Sequence, residues 1–261
     1  MSNLDCRLAI AECQLKVRQG SRLISPSEIV IRNLQSRIPY NPTRMITVSK
    51  EDYLKAILEA ESEGETVISA TLAHWLKVSA PAVTMALRRL KKDNLVRVQA
   101  DGRVRLTAAG TRIARHLTLR HHLIERMLSE LFGMEWWKVH DEAERLEHAV
   151  SPAFEKKLVA KLGYKEVCPH GNGLGMRSDA ERRKHGLCLL TEAEEGKKYQ
   201  VRSVYERDRK LLEFFDREGI LPGTIVEVQS GNYDGTVTLS VGKCQLRLGI
   251  PAAAKIWVAR A

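Results

Sequence analysis

Ser79-Ala-Pro-Ala-Val-Thr-Met-Ala-Leu-Arg-Arg-Leu-Lys-Lys-Asp-Asn-Leu-Val-Arg-Val-Gln-Ala-Asp-Gly-Arg-Val-Arg-Leu106 carries two periodicities in succession. Val83, Leu87 and Leu90 recur at helical spacing, so one face of a helix is apolar. Ser79 is a good N-cap and Pro81 suits the first turn, where no amide hydrogen is needed. After Asp93-Asn94 the period drops to two, and Ala100-Asp-Gly is a turn between two short strands. Helix followed by hairpin is the second half of a winged helix-turn-helix. Working back, Ser69 or Thr71 can cap a short helix carrying Leu72 and Trp75, with Lys77-Val-Ser-Ala-Pro as the turn. A first helix begins after Ser49, with Glu51 and Asp52 in its first turn and Tyr53, Leu54, Ile57 and Leu58 facing inward. The unit spans residues 45–106.

The outward face of that third helix suits a nucleic acid. Ser79, Pro81, Ala82, Thr84 and Met85 are small, polar or apolar groups at its N-terminal end, the end that meets base edges in a major groove. Arg88, Arg89, Lys91 and Lys92 follow on the helix, and Arg103 and Arg105 on the wing, as cations for phosphates. The whole chain has 42 Lys and Arg against 32 Asp and Glu, a net charge of +10, which agrees with a polyanionic partner.

Outward on the other side, residues 107–165 read as a helical domain. A long helix from Thr107 to Phe132 carries Ile113, Leu117, Leu123, Ile124, Leu128 and Leu131, and Gly133 ends it. Lys138 to Val150 forms another, with His140, Glu144, Glu147 and His148 on one face and Val139, Ala143, Leu146, Ala149 and Val150 adjoining. Two imidazoles and two carboxylates on one stripe suit a divalent metal better than a core. His121 and Glu125, four residues apart on the long helix, form a second such pair. Ser151 caps a further helix from Pro152 to Leu162. Trp136-Trp137 reads as dimer core or helix packing.

Residues 166–187 contain Gly, Pro and dense charge and read as a linker loop. Residues 188–261 alternate with period two over Tyr199–Val204, Thr224–Gln229, Gly235–Val241 and Cys244–Leu248, with a short helix around Leu211–Phe215. A small SH3-like β-barrel is the economical reading. The fold class is therefore mainly α with small β. Residues 1–44 are basic and carry no motif. They are either an N-terminal extension or a stretch upstream of a start at Met45.

The 261 residues contain no apolar run near the ~20 residues of a membrane span. No secretory signal opens the chain, so the expected location is cytoplasmic. Five cysteines without a CxxC pair fit a reducing compartment. Neither His-Glu-x-x-His nor a pair of Glu-x-x-His motifs is present, which disfavours a metalloenzyme or di-iron bundle. A DNA-binding protein without metal response, its stripe merely ion-paired, is the other alternative.

Four motifs together resemble the DtxR/MntR family of metal-dependent transcriptional repressors. They are Glu51-Asp-Tyr-Leu-Lys-Ala-Ile, Ser79-Ala-Pro-Ala-Val-Thr, Arg120-His-His-Leu-Ile-Glu-Arg, and Val139-His-Asp-Glu-Ala-Glu-Arg-Leu-Glu-His-Ala-Val-Ser. The resemblance covers residues 45–261, the last domain being similar to a FeoA domain. It implies a primary site of Asp52, Glu144, Glu147 and His148 with His121 close by. It implies an ancillary site of Glu125 with Cys168 and His170 of a Cys-Pro-His loop and the acid Asp208, with His140 an alternate ligand. Glu144 and Asp52 stand where iron-responsive members have cysteine and methionine, so the resemblance implies Mn²⁺, with Fe²⁺ the alternative. Lys55 replaces a glutamate ligand of some manganese-responsive members. A two-metal cluster like theirs is not expected, and Lys55 reads as an exposed helix residue. Expected partners are double-stranded operator DNA and a second copy of the chain, with no enzymatic activity and no membrane.

Overall fold

The computed structural model describes residues 48–163, 167–173, 178–242 and 244–261. The N-terminal segment 1–44 and Met45 lie outside the described residues.

The winged helix-turn-helix unit forms as its periodicity dictates. Helix α1 (Val48–Ser62), α2 (Ser69–Leu76) and α3 (Ala80–Lys92) precede strands β1 (Val96–Val98) and β2 (Val104–Leu106), paired antiparallel with Val96 opposite Leu106. Ser79 caps α3, its Oγ accepting from the Ala82 amide. Of the two expected caps of α2, Thr71 contributes: Ile68 is the N-cap residue, and the Thr71 hydroxyl reaches back to accept from its amide. Leu54, Ile57, Leu72, Val83, Leu90 and Val104 form the core. In α1 the burial runs beyond the expected stripe to Ala56 and Ala60, because α4 covers its other side.

Helix α4 (Ala108–Glu130) is the spine of the molecule, buried continuously from Leu117 to Leu128. Its start lies tight under the wing: a Cβ on Gly110 would fall 2.1 Å from the Leu95 carbonyl oxygen. Helix α5 (Val139–Leu146) and α6 (Pro152–Leu162) pack on α4 through Leu123, Ile124, Val139, Ala143, Leu158 and Val159. Leu131 and Leu146, expected inside, are 47% and 38% exposed. Arg126 is buried on α4 and donates to the Leu162 and Gly163 carbonyls, satisfying acceptors at the C-terminal end of α6.

Helix α5 is shorter than the expected Lys138–Val150. It stops at Leu146, and Glu147 to Ala149 form a turn, with the Ala149 amide donating to the Leu146 carbonyl. Ser151 precedes Pro152 and is extended, so the helix has to break there.

Among its described residues, the expected linker holds regular structure. It contains helix α7 (Asp179–Lys184), and strand β3 (Leu187–Leu189) begins inside it. The C-terminal domain continues with a 3-10 turn (Leu190–Glu192), β4 (Lys198–Val204), α8 (Arg209–Arg217), β5 (Ile225–Gly231), β6 (Thr236–Val241), β7 (Cys244–Gly249), α9 (Ile250–Ala253) and β8 (Ile256–Arg260). These strands make one antiparallel sheet in the order β3-β8-β4-β5-β6-β7 around Val201, Phe215, Val226, Leu239 and Val258. Strands β3 and β8 were not legible in the period-two pattern. Trp136 and Trp137 pack against this domain's core, and Trp136 Nε1 donates to the Pro169 carbonyl, so they serve packing between domains.

Candidate metal centre and nucleic-acid interface

The turn after α5 places two ligand-type groups at the junction of three elements. Arg120 on α4 donates to the Glu147 carbonyl and pairs with Glu155 of α6, which fixes that turn. His148 then points at α1. Its Nε2 lies 2.8 Å from Asp52 Oδ1 and its Nδ1 3.0 Å from Glu51 Oε2. A ring nitrogen held by Glu51 fixes the tautomer and leaves the other nitrogen for a ligand or proton shared with Asp52. Glu51, by sequence only a first-turn acid of α1, is the group that orients His148. Ligand atoms of Asp52, Glu147 and His148 all lie within 4.8 Å of one another. Burial raises the pKa of Asp52, against the pull of His148.

Lys55 corrects the sequence reading most sharply. It is 3% exposed, not on the surface. Its Nζ donates to Glu147 Oε2 at 2.7 Å and Oε1 at 3.0 Å, and sits 3.7 Å from Glu144 Oε1. His121 approaches the same carboxylate, with Nδ1 2.6 Å from Glu147 Oε2. Burial resists ionisation of Glu147, but Lys55 and His121 prevail and hold its pKa at about 2. Glu144 lies outside the Asp52–Glu147–His148 group. Its side chain is 42% exposed; partial desolvation works against its ionisation, and Lys55, His140 and Arg207 outweigh that and hold its pKa down.

The second cluster lies deeper. Glu125 Oε1 is 3.0 Å from His121 Nε2, 3.1 Å from His140 Nδ1 and 3.3 Å from His170 Nδ1. His170 and Cys168 arrive on the Cys-Pro-His-Gly loop, which packs on β4. Gly171 has φ +83°, and a Cβ there would fall 2.0 Å from the Arg202 carbonyl oxygen, so only glycine permits the turn. Burial disfavours a charged His121 and His170, yet the carboxylates around them raise their pKa values to about 9 and about 10. Burial, then Glu125 and Glu206, push the Cys168 thiol well up.

The acid from the C-terminal domain is Glu206, not Asp208. Asp208 is the N-cap of α8, accepting from the Lys210 and Leu211 amides. Glu206 is buried and accepts from Asn172 Nδ2 at 2.6 Å and the Cys168 thiol at 3.4 Å. Donor atoms of His121, Glu125, His140 and Glu206 lie within 4.8 Å of one another, as do those of His122, Glu125, Cys168 and Glu206. His140 is thus brought into the cluster together with Cys168 and His170. His122 and Glu206 were missed. The three-residue spacing of His122 to Glu125 was the only signal for the former, and the latter had none. Carboxylate, imidazole and thiol donors converging in buried space fit a divalent first-row ion.

Ser79, Pro81, Ala82, Thr84, Met85, Arg88 and Arg89 are all exposed on or beside α3. Met85 is 48% exposed. Arg88 and Arg89 make no ion pair among the described residues. The wing arginines are less free: Arg103 pairs with Asp101 at 2.8 Å and Arg105 with Glu61 at 3.0 Å. The Thr84 hydroxyl donates to the Ala80 carbonyl.

Comparison with known proteins identifies the family of the chain. Residues 45–104 match the family model described as the N-terminal DNA binding domain of iron dependent repressors. Residues 107–173 match the iron dependent repressor metal binding and dimerisation domain, and 188–260 the FeoA domain. The chain is 30% identical over 203 residues to the iron-dependent repressor IdeR of Mycobacterium leprae, across 74% of this chain and 88% of that protein. It is 38% identical over 122 residues to the diphtheria toxin repressor of Corynebacterium diphtheriae, across 47% and 54% of the two chains. A solved manganese-dependent transcriptional repressor in complex with manganese is similar at TM-score 0.73 and 31% identity, over 81% of this chain and all of that one. The manganese regulator SloR is similar at TM-score 0.68 and 29% identity, over 83% of this chain and all of that one.

Proposed function

The chain belongs to the iron-dependent (DtxR) family of metal-dependent transcriptional repressors, a non-enzymatic family, and from that premise we propose that it is a manganese-responsive repressor of metal-uptake genes. It acts in the cytoplasm and binds palindromic operator DNA as a homodimer when metal is bound. Among the described residues no helix is long and apolar enough to cross a membrane.

One observation carries this reading: Asp52 and Glu51 of the DNA-reader unit meet His148 of the helical domain within 3.0 Å. Asp52, Glu147 and His148 would hold the ion, which would supply two positive charges between the domains. The chain's own residues do the rest. His148, oriented by Glu51, faces Asp52 across the boundary. Arg120 fixes the turn that presents it. Locking that boundary sets the angle of α1, and with it the placement of α3. In a two-fold dimer it also sets the spacing of two α3 helices against half-sites about 34–36 Å apart or a multiple of that. Exposed Phe132 and Phe154 supply apolar surface on the helical domain for the second copy.

Oxygen-rich donors at Asp52 and Glu147 support Mn²⁺. His140 beside His121 and Glu125 favours the alternative, Fe²⁺. Duplexes selected by the Mn²⁺-loaded protein from a random pool provide the test. Their affinity should rise with Mn²⁺ at fixed salt and fall with chelator, and the order of response to Mn²⁺ and Fe²⁺ names the metal. Asp52→Ala should abolish the metal response while leaving the sedimentation of the dimer unchanged. Equal affinity with and without metal overturns the switch.

A further inference from the structure

Lys55 stands among ligand-type groups where a metal ion could stand. Its Nζ lies 2.7 and 3.0 Å from the two oxygens of Glu147, 3.0 Å from His121 Nδ1, 3.7 Å from Glu144 Oε1 and 3.9 Å from Glu59 Oε1. Lys55, Glu59, His121 and Glu147 are all buried. Three carboxylates and an imidazole around one positive atom are a donor set for a hard divalent ion. An ammonium is a compact point charge with three donors, so it can take the centre of such a set.

Glu147 faces two ways. Its Oε1 is 3.0 Å from Lys55 Nζ and 3.7 Å from His148 Nε2, and that nitrogen is 2.8 Å from Asp52 Oδ1. The carboxylate therefore lies between the ammonium and the Asp52–His148 pair. Two-metal sites hold their ions about 3.5–4 Å apart, a separation that one bridging carboxylate spans. Here one of the two positive charges belongs to α1 itself. Glu59 and Glu144 also face Arg207 of the C-terminal domain. Without Lys55, that single guanidinium would be left against three carboxylates.

We propose that Lys55 is a built-in second cation of the interdomain centre. Its ammonium fills the position that Glu59, Glu144, Glu147 and His121 would otherwise offer to a second divalent ion. The inference rests on the reading of Asp52, Glu147 and His148 as a metal site. The centre then takes one ion per chain, on the Asp52–His148 side. That ion shares Glu147 with a fixed positive charge, and like charges at such a distance repel. Lys55 thus limits the number of ions and raises the metal concentration at which they bind.

Chelator-treated full-length protein titrated with Mn²⁺ provides the test, with bound ions counted after dialysis and the paramagnetic resonance spectrum recorded. The count in wild type minus that in Asp52→Ala measures the interdomain centre, and should be one per chain. Lys55→Gln should bind one more ion per chain than wild type and bind Mn²⁺ about tenfold more tightly. Its spectrum should gain the broadening of two ions about 3.5–4 Å apart, and Asp52→Ala in that background should remove the broadening. Lys55→Arg keeps the charge and should keep the wild-type count. Adding Glu59→Gln to Lys55→Gln should lose the extra ion. Wild-type protein gives a second readout that needs no variant. Acylation of amines in the presence of Mn²⁺ should modify Lys77, exposed at the same cleft, and spare Lys55. A wild-type count in Lys55→Gln, or Lys55 acylated as readily as Lys77 in the loaded protein, overturns the built-in cation alone. Equal counts in wild type and Asp52→Ala overturn it together with the reading of the interdomain metal site.

Discussion

At the scale of single residues, the charges inside the centre are held together by Lys55. A buried ammonium against a buried carboxylate is costly to break from one side, because the survivor is left uncompensated. Lys55→Met should therefore lower the stability of chelator-treated protein by about 3–5 kcal/mol, read by urea unfolding. Mn²⁺ should restore more of that stability in the variant than in the wild type, since Glu147 then needs another cation. A variant as stable as wild type in chelator would remove the pairing from the account. The histidines set a pH dependence with a definite sign. His121 and His170 have raised folded-state pKa values, about 9 and about 10, against an ordinary 6.5. Their stabilisation is complete below 6.5 and is lost as pH rises through those values. Glu147 is depressed from 4.5 to about 2, so its contribution is present above 4.5 and lost as pH falls through 2. Metal-free stability should peak between about 4.5 and 6.5. Added Mn²⁺ should flatten the alkaline decline, because neutral imidazole is the ligand form. Unfolding curves across pH with chelator or with Mn²⁺ measure both.

At the scale of elements, local rules were sufficient wherever an element makes its own partners. Ser79 and Ser151 cap α3 and α6 as their positions ahead of a first-turn proline imply. The wing hairpin follows from alternation around a Gly turn. Local rules were insufficient at the start of α8. Two acids, Glu206 and Asp208, lie two residues apart, and the family resemblance points to Asp208 as the ligand although Asp is also a preferred N-cap. The fold assigns the cap to Asp208 and turns Glu206 toward His170 and Cys168. Asp208→Ala should cost about 1 kcal/mol of stability and leave metal content unchanged. Glu206→Gln should lower the amount of bound metal. Reversed outcomes would restore Asp208 as the ligand.

At the scale of the whole molecule, the three domains meet at Arg207. Its guanidinium pairs with Glu59 of α1, lies 3.5 Å from Glu144 of α5 and stacks over Trp75 of α2 at 4.8 Å from the ring centre. Arg182 adds a second tie, to Glu63, at 3.3 Å. The C-terminal domain is thus joined to the DNA-reader unit and borders the interdomain cleft. Arg207→Met should remove the pairing while keeping much of the bulk. Small-angle scattering should then show a larger radius of gyration, with the helical content unchanged by circular dichroism. A scattering curve identical to wild type would mean that the apolar contacts of Trp136 and Trp137 hold the domain without Arg207.

The sequence by itself determined the helices from α1 to α6 apart from some of their ends, the wing and the strands β4 to β7. Each of these depends on neighbours within a few turns of chain, where periodicity and capping act. Only the tertiary structure decided which charges meet. Lys55 finds Glu147 across 92 residues, and Arg207 finds Glu59 across 148. A lysine on a helix looks exposed by local pattern. It is buried here because α4 and the turn after α5 close over α1 and bring carboxylates to neutralise it. His122 likewise reads as one more polar helix residue until the Cys168 loop and Glu206 arrive from another domain.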